Sequence, residues 1–303
     1  MIMPPDPSPD RIRAQSVPMK KGRGTRILTR AALVAAGSVA VLAGAGWLGL
    51  QVEPASHPPH PERTPELNEI ELPSDLPDPV RRYFRATYGD EIPSIDTAVV
   101  WGRGEFSLNG LWFPARFKSY YDVPGRTFRR DMELTWFGRP VFRGRDTFID
   151  GKGALKITGL FGLVDLTYEG EKIDQGANLA MWGELLGYAP SALLLDPQVS
   201  WEPVDVNTAR LIVPFGEAED SLRVEFDPET GYMTRMTGMR YRGEEAEKTP
   251  WCGEGSSWRV VRGIEMPHRL PGVWEDQGEP YVVLDLGGAE HDVDVYGPER
   301  IPR

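Results

Sequence analysis

One cysteine, Cys252, stands among 303 residues, so no intrachain disulfide can form and stability has to come from a buried core. Within TPWCGEG that cysteine reads as a small packed residue rather than a nucleophile. Histidine is almost as scarce. Of four, only His268 and His291 fall in the region that reads as folded, and His268, in EMPHRLPG, reads as a strand-end residue rather than a general base. HExxH, GxSxG, P-loop and CxxC patterns are absent. The glycine pairs GRG at 102–104 and GKG at 151–153 lack the third glycine and the strand-to-helix setting of a dinucleotide site. The residues therefore assign no catalytic group, no metal ligand and no cofactor.

Positive charge is scarce outside the first thirty residues. The chain carries a net −11, yet Arg11, Arg13, Lys20, Lys21, Arg23, Arg26 and Arg30 against Asp6 and Asp10 make residues 1–30 +5, which leaves −16 for the remainder. An acidic body repels nucleic-acid phosphate, which excludes that partner class.

Long apolar runs are missing too, with one exception: Ala31 to Leu50, AALVAAGSVAVLAGAGWLGL, is twenty residues without a charge. At 1.5 Å per residue such a helix reaches roughly 30 Å, enough to cross a bilayer core. The basic residues before it predict a cytoplasmic tail (1–30), a single transmembrane helix (31–50) and an extracytoplasmic remainder. Ala43-Gly44-Ala45 has the form of a cleavage site, so a signal peptide is the competing reading of this segment. Residues 51–75 are rich in proline and poor in periodic apolar residues, which predicts an extended stalk carrying His57 and His60 into solvent.

The remaining 76–303 read as one β domain. LPDPVRRYFRATYG predicts a short helix with Asp78 as N-cap, Pro79 in the first turn, Gly89 at its end, and Val80, Tyr83, Phe84 and Thr87 on the apolar face. Period-two alternation follows in WFPARFKSYYD, TFRRDMELTW, VDLTYEG and SLRVEFD, with turns such as SLNGLW, DVPGR, IDGKG and FDPETGYM between the strand signals. Ten to twelve strands are expected. A sheet of that size does not lie flat, so the fold class is mainly β: a large curved antiparallel sheet, half-barrel or open barrel, with an N-terminal helix and an inserted apolar helix.

That inserted helix is LAMWGELLGYAPSALL, 179–194, whose only ionisable side chains are Glu184 and Tyr188. It either plugs the concave face as core or closes over an apolar cavity as a lid hinged at Pro190. In the second case Trp182, Leu185 and Leu186 on the helix, with Trp136 and Phe117 on the strands, are the candidate ligand contacts. Glu184 supplies a polar contact and, if buried, needs a partner such as an arginine on the concave face. Gly183 and Gly187 would let a backbone or ligand approach closely. The many tryptophans also leave a sugar-binding groove open as an alternative.

LPDPVRRYF, GRGEF with LNGLWFPARFKSYY, ELLGYAPSALL and FDPETG together resemble a family of uncharacterised bacterial membrane-anchored proteins, a domain of unknown function, from about Leu76 to Tyr296. That resemblance implies no activity or site residue. In its order of helix, meander, inserted helix and further strands the chain is more distantly similar to lipoprotein-carrier half-barrels, which hold acyl chains between sheet and helix. The expectation is a single-pass protein of the bacterial cytoplasmic membrane whose outer domain binds a lipid or lipoprotein acyl chain. An interaction or structural domain with a filled core is the alternative, and an envelope hydrolase ranks third.

Overall fold

The structure is a computed structural model that describes residues 36–38, 41–89, 91–216 and 218–302. The chain divides into two compact units, Met1–Trp47 and Leu48–Arg303. Residues 41–50 are helical. Among the described residues no helix is long and apolar enough to cross a membrane; the tail 1–30 and most of 31–40 lie outside those residues.

In the second unit, strand β1 (Glu69–Ile70), helix α1 (Asp78–Tyr88) and strand β2 (Ile92–Pro93) come first. A meander follows: β3 (Thr97–Leu108), β4 (Leu111–Asp122), β5 (Thr127–Trp136), β6 (Arg139–Ile149), β7 (Lys152–Gly159) and β8 (Val164–Glu169). Helix α2 (Glu171–Tyr188) and one turn, α3 (Ala192–Leu195), lead to β9 (Ser200–Asp205), β10 (Thr208–Phe215), β11 (Ala218–Phe226), β12 (Met233–Tyr241) and β13 (Lys248–Glu254). The hairpin β14 (Arg259–Val261) and β15 (Ile264–Met266) precedes β16 (Arg269–Trp274) and β17 (Pro280–His291).

Thirteen of these strands make one antiparallel sheet in the order β8-β7-β6-β5-β4-β3-β17-β16-β13-β12-β11-β10-β9, so β8 and β9 are its open edges. The last strand joins the halves: β17 pairs with β3 from Val282 opposite Phe106 to His291 opposite Ala98. Helix α2 packs on β7 and on β12, which stand eight places apart in that order. Laid flat at about 4.8 Å per strand they would be roughly 38 Å apart. A helix is only about 10 Å across. The sheet must therefore bend around α2, and it does so without closing.

Alternation decides what faces the helix. In β4, Phe117 and Tyr121 point into the main core beside Phe128, Phe148, Trp182 and Leu186, while Arg116 and Lys118 point outward. α1 buries Val80, Tyr83, Phe84 and Thr87 as its spacing predicts, but its N-cap is Pro77; Asp78 lies one residue inside and pairs with Arg81. α2 begins eight residues before the uncharged stretch. Its polar first half is tolerated because the sheet satisfies it: Asp174 accepts from the Gly153 backbone N–H at 2.7 Å and from Lys152 at 3.0 Å, and Gln175 donates to Asp220 at 2.8 Å. A Cβ on Gly153 would stand 2.6 Å from the Ile173 carbonyl oxygen, so only glycine lets the helix start this close to β7.

The outer face of the sheet carries a second, smaller core of Val99, Trp101, Tyr120, Val293, Val295 and Ile301. Here the expected solvated stalk needs correction. His60 is buried, Glu69–Ile70 pairs with Ile92–Pro93, and Glu290 clamps the segment. The Glu290 side chain has no exposed surface; it accepts from Thr64 N and Oγ1, each at 2.8 Å, from Arg63 at 3.0 Å and from Arg262 at 2.6 Å. Proline-rich chain lacks internal hydrogen bonds, so its backbone is free to dock wherever side chains offer partners.

Burial acts to raise the pKa of Glu290, yet the hydrogen bonds from Thr64, Arg262 and Arg63 lower it from 4.5 to about 2. A depressed carboxylate stabilises the fold above its unfolded pKa, and that contribution is lost as pH falls from 4.5 towards 2. Glu290→Gln should cost roughly 1.5–3 kcal/mol in urea unfolding at neutral pH and make residues 60–64 sensitive to protease. An unchanged unfolding midpoint together with unchanged protease resistance would show that the clamp contributes nothing.

Candidate functional site

A helix and a curved sheet cannot fill one another's surfaces everywhere. Helix α2 touches strands of both halves, β6–β8 and β10–β12, yet between it and the concave face a cavity of about 610 Å³ remains, walled largely by β5–β8. Its walls follow the period of two: Arg130, Met132 and Leu134 on β5; Phe142, Gly144 and Asp146 on β6; Leu155 and Ile157 on β7; Val164, Leu166 and Tyr168 on β8. Met236, Trp251, Leu270, Tyr281 and Leu284 close it from the other half of the sheet. It reaches the surface at Asn109 and Leu166, both exposed.

Helix α2 gives this cavity only Ala180 and Glu184, one turn apart on one face. Gly176, a further turn back, stands against Arg240, so this face is lined by small residues ending in a carboxylate. Arg130 is the concave-face partner that Glu184 requires. Its guanidinium pairs with Glu184 and, at 3.2 Å, with Asp146, while the Tyr121 hydroxyl donates to Glu184. Burial works against the charge on Arg130, but Glu184 and Asp146 more than offset it and raise its pKa. Burial raises the Asp146 pKa against the opposing pull of Arg130 and Arg240, and burial followed by the Glu184 charge raises that of Tyr121. Arg240 lies 5.3 Å above the Trp251 ring, with its Nε buried and without a hydrogen-bond partner. One end of an apolar cavity thus carries two arginines and two carboxylates.

Of the residues expected to meet a ligand, the structure brings only Glu184 to the cavity. Trp182, Leu185 and Leu186 lie fully buried on the other faces of α2, where the Trp182 indole N–H donates to Asn178 at 3.1 Å. Phe117 is core, and Trp136 is exposed at the β5–β6 tip. Large apolar side chains went to the tight side of the helix because that side has sheet to bury them. The small face at Gly176, Ala180 and Glu184, spaced by four, was the sequence signal for the empty side. Gly183 and Gly187 receive neither backbone nor ligand: they face Met236 and Pro267 with Leu270.

The expected hinge is also tied down. Pro190, Ser191 and Ala192 are buried. Tyr83 donates to the Leu186 carbonyl, Nε2 of the buried His291 donates to the Tyr188 carbonyl at 3.1 Å, and the Tyr88 hydroxyl accepts from Ser191 N at 2.9 Å. α2 therefore serves as core on one side and as a fixed cavity wall on the other. Elsewhere His268 is half-buried between β15 and β16, away from the cavity, and Cys252 is buried with its thiol pKa raised by desolvation.

Because Arg130 serves two buried carboxylates, removing it alone strands both. Arg130→Met should cost about 3–5 kcal/mol, and Arg130→Met with Glu184→Leu should recover much of that loss. Equal destabilisation of single and double variants in urea unfolding would mean that the pair does not couple helix to sheet.

Several solved structures are remotely similar to this chain. A DUF1329 family protein from Desulfovibrio piger is 12% identical with a TM-score of 0.39, covering 66% of this chain and 87% of its own. A putative outer membrane lipoprotein-sorting protein domain from Vibrio parahaemolyticus is 8% identical with a TM-score of 0.38, covering 71% and 89%. A LolA superfamily protein from Nitrosomonas europaea is 8% identical with a TM-score of 0.40, covering 71% and 93%. Likeness of this degree carries no ligand or activity across. No curated protein matches the chain. A family profile does match, over residues 65–286, most of the β domain, and the chain belongs to that family of unknown function, DUF6544.

Proposed function

We propose that this domain binds an apolar chain, a lipid or the acyl chain of a lipoprotein, in the cavity beside α2, and that the segment 31–50 holds it at the outer face of the cytoplasmic membrane. The single observation that carries the reading is the cavity: about 610 Å³ lined by Leu134, Phe142, Leu155, Ile157, Leu166 and Leu284, with charge confined to one end. That size lies within the range of small-molecule sites, ~300–1,000 Å³. Each methylene it removes from water contributes about 0.8 kcal/mol, so a chain of ten gains roughly 8 kcal/mol before the cost of ordering it. A filled-core structural module would have no use for such a space, which native packing normally eliminates. The polar end fits a ligand with an apolar body and one polar head.

Gly144 provides the test. It lines the cavity, and a Cβ added there meets nothing within 4 Å. Gly144→Leu should keep the melting temperature and remove the lipid that co-purifies with the full chain, as read by native mass spectrometry. Parent protein free of lipid, and indifferent to added fatty acid or phospholipid, would end the reading. The topology has its own check. A reporter that needs export, fused after the last residue, should be active, whereas activity of a cytoplasm-only reporter there would reverse it.

A further inference from the structure

Turns at the tips of hairpins ordinarily carry Asn, Asp, Gly or Pro. Three tips of this sheet keep such residues (Asn109-Gly110, Gly138 and Gly162) but set large apolar side chains around them. The β3–β4 tip presents Leu111 and Trp112, the β5–β6 tip Trp136 and Phe137, and the β7–β8 tip Leu160, Phe161 and Leu163. Strands β3 to β8 are successive antiparallel neighbours, so alternate turns, these three, fall at the same end of the sheet. Phe161 is fully exposed, Leu163 is 86% exposed, Phe137 46% and Trp136 42%. The turns at the other end of the same strands are Pro124-Gly125-Arg126 and Asp150-Gly151.

Left-handed backbone occurs at both ends, at Arg126 (φ 46°) and Asp150 (φ 51°) as well as at the apolar tips, so the ends differ in which side chains occupy it. Phe137, Leu160 and Phe161 have φ of 50°, 47° and 59°, the left-handed region. A residue with a Cβ pays roughly 1–2 kcal/mol there, which glycine avoids. At the β7–β8 tip, Phe161 and Leu163 face water and bury almost none of their apolar surface in the folded domain. Exposed apolar surface of this kind marks a working surface.

The occupant is indicated by where the chain enters. The Phe137 N–H donates to the Gly49 carbonyl at 2.8 Å, and a Cβ on Gly49 would stand 2.1 Å from Trp136 Nε1. A Cβ on Gly138 would stand 3.7 Å from Val52 Cγ1. Residues 49–52, which span the end of the uncharged run 31–50, are thus bound to the middle apolar tip. The cavity reaches this same end at Leu108, Asn109 and Val164.

We propose that this end of the sheet is a membrane-contact surface: the three tips enter the headgroup–acyl boundary of the bilayer that holds the anchor, and the cavity opens onto lipid. The proposal rests on the anchored reading given above. It also specifies the lipid surface. At the same end, the loop 242–247 and the β16–β17 turn carry six carboxylates, of which Glu245 and Asp276 pair with Arg242 and Glu275 with Arg235, while Glu244, Glu247 and Glu279 leave the region net negative. These repel anionic headgroups, so the contact is apolar, made by the β3–β8 half, and zwitterionic lipid suffices.

The full chain, reconstituted into phosphatidylcholine vesicles, tests this with an environment-sensitive thiol dye. Cys252 is buried, so the dye goes to an introduced cysteine. Phe161→Cys or Leu163→Cys reports on the tip; Val206→Cys, 76% exposed in the β9–β10 turn at the far end, is the control. The dye at 161 or 163 should shift to the blue and be quenched by lipid carrying a shallow nitroxide, severalfold more than at 206, and high salt should not reverse it. Phe161→Ser with Leu163→Ser should leave the melting temperature unchanged and slow uptake of vesicle lipid into the cavity. A chain that does not float with the vesicles overturns anchor and surface together. Flotation with a water-like dye at the tip overturns the surface alone and leaves the anchor standing. Equal quenching at tip and control overturns the orientation.

Discussion

Strands β8 and β9 are the two open edges of one sheet, and residues 170–199 must connect them. That connection is the constraint on which the rest depends. Going around the outside would leave the apolar concave face uncovered. Passing through the inside, as α2, covers it and forces the sheet to bend until both halves touch the helix. Curvature, core and cavity are three results of this one path. The helix has a large-residue side, buried throughout, and a small-residue side that leaves part of the concave face uncovered.

The small-residue side would be a defect without its charges. An apolar void loses contacts and admits disorder. Here Arg130 joins Glu184 of the helix to Asp146 of β6, and Tyr121 completes the acceptor. These directional bonds fix the middle of the helix relative to β5 and β6. The carbonyls at its C-terminal end are held by Tyr83 and His291. The cavity is therefore built into a fixed frame rather than made by a swinging lid.

The outer face shows why the N-terminal segment does not stand free. Glu290 sits beneath it with four donors converging on its oxygens, and the C-terminal residues Val293, Val295 and Ile301 lie beside it on the same face. Both ends of the β domain are fastened to the centre of the sheet, next to β3 and β17, the strands that join its halves. The chain arriving from Gly49 is fixed to the β5–β6 tip in the same way. A domain secured at these points can present one chosen end to its surroundings.

Much of this architecture was legible residue by residue. Alternation in 113–121, 128–136, 164–169 and 222–226 marked strands that exist, because a half-buried strand has no other way to sort its side chains. Val80, Tyr83, Phe84 and Thr87 marked α1, and the need of Glu184 for an arginine was chemical necessity. What the pattern could not give was partnership across the chain. Nothing local says that the arginine is Arg130, that Glu290 waits under Thr64, or that the proline-rich segment is docked. Nor does local pattern tell an apolar residue facing sheet from one facing space: Trp182 and Leu186 were chosen by size, and size sent them to the closed side. Composition and periodicity alone determined a mainly β domain with an apolar helix inside it. Only the tertiary structure decided which face of that helix is empty, because a cavity belongs to two surfaces far apart in sequence and to neither of them alone.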